Sequence, residues 1–237
     1  ETVAFLVYDR IAGTVALRDV SRLPGIEDGI DHVTISPLGK YFLASYDRYC
    51  EQGSLGDDAH PCGLMVYDSD LSNGRGLLRT IGHYDAALDA AGNELIVFQD
   101  LDNDWISMLD IATGDMTPLL EIDFSHSPLG FHFSGLAYEM PGWALVSTYS
   151  GGFPGAYTWM DDQIFAVELR EGGRVIRLVH TYSLVDEQLE HDYWAEPHAS
   201  VNQDFSRILF TTNWGRSGTE SVETFLIELP HGWSLRD

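Results

Sequence analysis

The chain has 237 residues, 44% apolar and 12% aromatic, enough to bury a substantial core, so a disordered or fibrous polymer is excluded. Thirteen basic against thirty-seven acidic side chains leave a net charge of −24 at pH 7. Such a surface repels nucleic-acid backbones and anionic headgroups within about one Debye length, roughly 8 Å, so neither nucleic acid nor an acidic membrane is an expected partner. No apolar run approaches the roughly 20 residues of a membrane-spanning helix, and no basic stretch followed by an apolar one opens the chain, so no membrane span is expected.

The sequence begins at Glu1 and enters an apolar strand at once over residues 3–9, as expected of a processed or partial chain. A second strand follows over 14–20, and the pair reads as the outer half of a sheet, a partial unit spanning 1–29. Four longer units come next. Segments 31–46, 83–100, 132–149 and 197–214 each place a short strand, a polar turn and a β-rich strand in the same order. Their turns are Ser36 to Gly39, Asp89 to Gly92, Met140 to Gly142 and Asn202 to Phe205. A loop and a third strand follow each hairpin, at 63–68, 105–110, 163–169 and 224–229, and a fourth strand follows in three of the four, at 77–81, 116–122 and 174–182. β-branched and aromatic enrichment, alternation and Gly/Asp/Asn punctuation favour strands, and only residues 182–190 offer a turn or two of helix.

Four-stranded antiparallel units recurring at intervals of roughly 45 to 65 residues are the pattern of β-propeller blades. The expected fold is therefore all-β, one propeller domain or propeller portion over 1–237, with blades near 30–82, 83–123, 130–184 and 195–230 after the partial blade. A β-sandwich also has many short strands, but it does not explain one strand order repeated four times. Two closures follow from the half blade. Either the N-terminal strands complete the last blade in a small ring, or, the favoured reading, further blades or another chain complete a larger one.

Cys50 and Cys62 bracket a Gly/Asp-rich loop, so a disulfide is expected rather than two free thiols. With the acidity, this favours a secreted, periplasmic or cell-surface protein. Their spacing matches no CxxC motif, and CxxCH is absent, so covalent haem is not expected. GxSxG, HExxH, Walker and GxGxxG motifs are also absent, which leaves nucleotide-dependent and serine-hydrolase readings without support.

Propeller geometry gathers the first strands of all blades around one channel. His32, Asp85 and His198 each lie four residues before their turn, with His132 close by in the blade whose turn is longer. His83 and Glu196 precede Asp85 and His198 by two residues and so point to the same side of an extended strand. Imidazoles mixed with carboxylates bind divalent cations or move protons. His32, His83, Asp85, Glu196 and His198 are thus candidate ligands for calcium or manganese, and His132 and His198 are candidate catalytic groups; the same residues could instead line a hydrated channel. On loops expected at this face, Arg48, Trp159, Trp214 and Arg216 suit an acidic sugar, aromatic rings stacking on it and guanidinium groups pairing with its carboxylate. Trp159 and Trp214 could equally be plugs between blades. The acidic run 100–104 lacks the continuation of an EF-hand loop and reads as a hairpin connection. His60, His126, His180, His191 and His231 share no spacing and read as solvated or structural.

Residues 196–214, Glu-Pro-His-Ala-Ser-Val through Phe-Thr-Thr-Asn-Trp, resemble the His-bearing blade of oligogalacturonate-lyase-type propellers and related TolB-like or WD40-like repeats. The resemblance implies a manganese held by histidines and a glutamine, and a further histidine abstracting a proton from an acidic sugar. Here Glu196 replaces the first His of that family's His-x-His pair, and His198 keeps the second. Two functions are therefore expected to compete. The first is an acidic binding or assembly module, with a protein partner or further blades and a divalent cation at the channel mouth. The second is a metal-assisted polysaccharide lyase, with His132 and His198 as ligand or base, His32 as a second ligand, and Arg48 or Arg216 holding the sugar carboxylate.

Overall fold

A computed structural model describes residues 2–126, 129–150, 158–186, 190–218 and 221–230. The chain folds as a β-propeller of antiparallel blades, each built from strands consecutive in sequence. Strands β1 (Ala4–Asp9) and β2 (Thr14–Asp19) make a two-stranded half blade. β3 (Ile30–Ile35), β4 (Tyr41–Tyr46), β5 (Leu64–Asp68) and β6 (Arg75–Leu78) make the next blade. β7 (Tyr84–Leu88) to β10 (Met116–Glu121), through β8 (Glu94–Asp100) and β9 (Trp105–Asp110), make the third. The fourth holds β11 (Leu129–Ser134), β12 (Trp143–Ser150), β13 (Gln163–Glu168) and β14 (Val175–His180). The last has three strands among the described residues, β15 (Ser200–Val201), β16 (Arg207–Thr212) and β17 (Glu223–Glu228).

The expected hairpin turns close where the sequence places them, the Gly39, Gly92 and Phe205 amides donating to the carbonyls of Ser36, Asp89 and Asn202. Second strands are buried on both faces, as in β8 and β12, because each is sandwiched between neighbouring blades. The fourth strand β14 buries no residue fully and faces solvent more. Between blades the core is continuous: Val97, Ile106, Phe131, Val146 and Phe165 fill one interface, and Leu145, Ile164, Val201, Phe205 and Ile208 the next. The half blade seats Phe5 on Phe42, Tyr46 and Tyr67. Among the described residues β3 pairs only with β4, and its Val33 and Ile35 remain 45% and 40% exposed.

One expectation is corrected and two alternatives are closed. Of the 182–190 run that offers a turn or two of helix, residues 182–186 are irregular and 187–189 lie outside the described residues, while a 3-10 helix occupies Glu190–Ala195. The buried Ser183 hydroxyl donates to the Ala195 carbonyl and holds the start of that segment open. The alternative of free thiols is also excluded, since Cys50 and Cys62 form a disulfide. The small-ring closure is not formed among the described residues, where β1–β2 and β15–β17 are separate sheets.

Candidate metal centre

The first strands converge as their repeat requires. The Gly135 amide donates across the blade boundary to Asp85, the Val201 amide to the Ser134 hydroxyl and the Ala199 amide to the Ser147 hydroxyl. His132 on β11 pairs with Ser147 as His32 on β3 pairs with Ser45, so the register confirms that the two histidines occupy equivalent places. At this mouth lies a cavity of about 500 Å³ lined by all six channel candidates, His32, His83, Asp85, His132, Glu196 and His198.

Three of the six form one cluster. His132 Nε2 lies 2.8 Å from Glu196 Oε2 and His198 Nε2 lies 3.7 Å from the same oxygen. The two rings approach to 3.7 Å between centroids, and one donor atom from each of the three residues falls within a 4.8 Å circle. Glu196 is 7% exposed. Its segment is set by the last blade: the Thr211 amide donates to the Pro197 carbonyl at 2.9 Å and the Thr211 hydroxyl to the Glu196 carbonyl at 2.8 Å. His198 sits at φ +41°, in the left-handed region that a non-glycine residue seldom occupies, and strain of this kind concentrates at functional sites.

Electrostatics favour neutral rings. Burial pushes His132 below its usual value, against the opposing hydrogen bond that it donates to Glu196. Burial, and then the neighbouring His132, push His198 down to about 4. Two neutral imidazoles and a carboxylate, with donor atoms this close, are a donor set that fits a divalent first-row cation.

The other three candidates take different partners. His83 stacks on His132 at 4.5 Å, and its Nδ1 hydrogen-bonds the Phe131 carbonyl. Asp85 accepts the Gly135 and Ala86 amides at 2.8 Å each, and its burial pushes the carboxyl above the ordinary range. His32 meets the Tyr84 ring edge-on at 5.0 Å.

The four proposed sugar-binding residues lie elsewhere. Arg48 lines a separate cavity beside the disulfide, with Pro24, Tyr49 and Pro61. Trp159 packs on Phe165 and under the Arg177 guanidinium. Trp214, 52% exposed, stacks on Phe225 and meets Tyr182, while Arg216 pairs with Glu223 at 3.2 Å. Residues 151–157 of the loop that carries Trp159 are outside the described residues. His60 and His126 are exposed beside Asp57 and Asp123, and His180 contacts Tyr182; the His191 side chain and His231 are outside what is described. The acidic run 100–104 is a hairpin connection in which Asp100 accepts the Asp102 amide and Asp102 pairs with Arg79.

Sequence reasoning missed Tyr149 and Tyr193, which also line the cavity. Tyr149 lies 5.6 Å from the His132 ring. Its cross-strand partner is Gly130, where a Cβ would strike the phenol ring, so that glycine inside a strand was the available signal.

No protein-family model matches the chain, and no curated protein matches it. Solved structures do. The chain is similar to an oligogalacturonate lyase in complex with manganese, at 14% identity and a TM-score of 0.52 over 95% of this chain and 54% of that one. It is similar to an oligogalacturonate lyase from Vibrio parahaemolyticus at 13% identity and 0.53, over 96% and 55%. A puromycin hydrolase matches at 13% and 0.52, over 92% of this chain and 29% of that one. The chain thus spans about half the length of the lyases. At these identities the likeness establishes the β-propeller fold and leaves the activity to the site itself.

Proposed function

We propose that this protein is a propeller module that holds a divalent cation at its channel mouth through His132, Glu196 and His198 and presents it to a ligand in the cavity. The observation that carries this reading is the shared Glu196 oxygen, 2.8 and 3.7 Å from two imidazole nitrogens. Three protein donors leave coordination positions open, as in sites that engage a ligand rather than sites that only brace a fold. Two nitrogen donors favour manganese or a similar transition ion over calcium, which prefers six to eight oxygens. In the same reading the protein works outside the cytosol, where its disulfide persists, and further blades or a protein partner cover the open sheet faces at the half blade and the last blade.

A second reading, a lyase acting on uronic-acid sugars, is favoured by His83. Its Nδ1–H donates to the Phe131 carbonyl, so in the neutral ring Nε2 is the acceptor, beside His132. The oligogalacturonate lyase in complex with manganese, to which the chain is similar in fold, adds to this reading. Against it, no Arg or Lys is among the described residues lining the cavity, so the bound cation alone would offset an anionic sugar's charge. In this reading Arg48 and Arg216 would touch only a ligand long enough to leave the cavity.

The test is Mn(II) titration of the metal-free chain followed by electron paramagnetic resonance, with absorbance of unsaturated uronates recorded during incubation with pectin, alginate or ulvan fragments. One bound Mn(II) per chain and no absorbance gain is the expected result. Product growth that needs Mn(II) would transfer the assignment to the lyase, and no retained cation would end both readings.

A further inference from the structure

Asp192 has no role in the cluster itself, yet it is 0% exposed. Burying a carboxylate is costly unless several donors reach it, and here the donors come from two separate connections. Its Oδ2 accepts the Asp186 amide at 3.0 Å and the Ser217 hydroxyl, and its Oδ1 accepts the Gly218 amide at 2.7 Å. Asp186 belongs to the segment that leaves β14, and Ser217 and Gly218 to the loop between β16 and β17. Asp192 itself lies on the 3-10 helix Glu190–Ala195, immediately before Glu196.

Neighbouring bonds run in the same direction. Wholly buried Asn213 exchanges two bonds with the Leu184 backbone, at 3.0 and 2.7 Å, and the Gly215 amide donates to the Tyr182 carbonyl. These fasten the start of the 181–198 connection to the β16–β17 loop. Asp192 fastens its middle, at the last turn before two cation ligands, beside Tyr193 at the cavity wall. His198, strained at φ +41°, needs such external restraint to hold its conformation.

We infer that Asp192 is a positioning residue, whose carboxylate locks the β16–β17 loop to the 3-10 helix and thereby fixes Glu196 and His198 in ligating geometry. The inference rests on the cation reading above, and supporting groups of this kind typically contribute 10–100-fold in metal affinity.

Asp192→Ala, Asp192→Asn and a control, Asp162→Asn, test it. Asp162 is also a buried carboxylate, but it binds Ser150 within the fourth blade. Mn(II) affinity is read by paramagnetic resonance, and hydrogen exchange of the amides at 193–199 by mass spectrometry. Asp192→Ala is expected to weaken Mn(II) binding about 10–100-fold and to speed exchange over 193–199. Asp192→Asn, which keeps the volume and one acceptor, falls between and serves if the alanine variant does not fold. Asp162→Asn should lower stability and move neither readout. Unchanged Mn(II) affinity in folded Asp192 variants overturns the inference. Should the native chain bind no Mn(II), the cation reading fails separately, and exchange alone decides: faster exchange over 193–199 supports the role of Asp192, unchanged exchange refutes it.

Discussion

Two blades present the same residue types at the same spacing in opposite order, His83-x-Asp85 in one and Glu196-x-His198 in the other, and the structure uses them differently. In the first, each group is engaged by backbone: Asp85 takes two amides, and His83 takes the Phe131 carbonyl. The pair latches its blade to the next one. In the second, Glu196 and His198 find mainly each other and His132, on a strained segment held from behind. Imidazole and carboxylate in a channel are thus ambiguous by type. What separates the latching carboxylate from the one in the cluster is whether backbone amides have already claimed its lone pairs, as they have at Asp85.

The largest expected effect tests the ligand set. His132→Ala removes one of three donors and should weaken Mn(II) binding by at least about 100-fold, beyond the loss of a supporting group. Its urea midpoint should move little in the metal-free protein. Retained Mn(II) affinity in this variant would erase the contrast between the two pairs.

Asp85→Ala tests the latch and should give the reverse pattern. Two amides lose their acceptor next to a buried cavity wall, and leaving such donors unpaired costs about 1–3 kcal/mol each, softened where water enters. A loss of about 2 kcal/mol in urea unfolding is expected, with Mn(II) affinity within a few-fold of native. If Mn(II) binding vanishes while stability holds, Asp85 is a ligand and the division drawn above is wrong.

Much of this architecture was legible in the sequence because local chemistry carries it. Ser36 to Gly39 and Asp89 to Gly92 announce hairpins, and strand alternation then fixes which side chains face the channel. That is enough to bring His32, Asp85, His132 and His198 to one cavity from positions far apart in the chain. Strand periodicity does not say which lone pairs the neighbouring blade's amides take, so the latch and the ligand set looked alike. Nor does it reach the connections. Arg48, Trp159, Trp214 and Arg216 were grouped by the face their loops share, and a shared face does not fix distance from the axis. The bonds of Asp192 and Asn213 link segments about 25 to 30 residues apart and leave no local pattern. Residues 182–186 hold no helical turn for the same reason, since Ser183 and Leu184 are claimed by distant partners, and the described 3-10 helix is Glu190–Ala195.

The smallest effect concerns the opposite face and supplies the background for the other two. Glu168 lies at the end of β13, where Arg170 and Arg174 reach its carboxylate, Arg170 Nε at 2.9 Å and Arg174 Nε at 3.3 Å. The Arg170 hydrogen bond leads in pulling its pKa from 4.5 down to about 2. A folded value below the unfolded one means the contribution to stability is complete above pH 4.5 and is lost as the pH falls toward 2. The turn is near solvent, so the effect is modest, a fraction of what two charges would give when dry. Glu168→Gln should therefore lower the urea midpoint slightly at pH 6 and hardly at all at pH 2, narrowing the gap to native as acid is added. Mn(II) affinity at pH 6 should be native in this variant. A gap that widened in acid would mean that the carboxylate is not held by its arginines, and acid unfolding could then no longer be kept apart from cation release in comparing the two channel pairs.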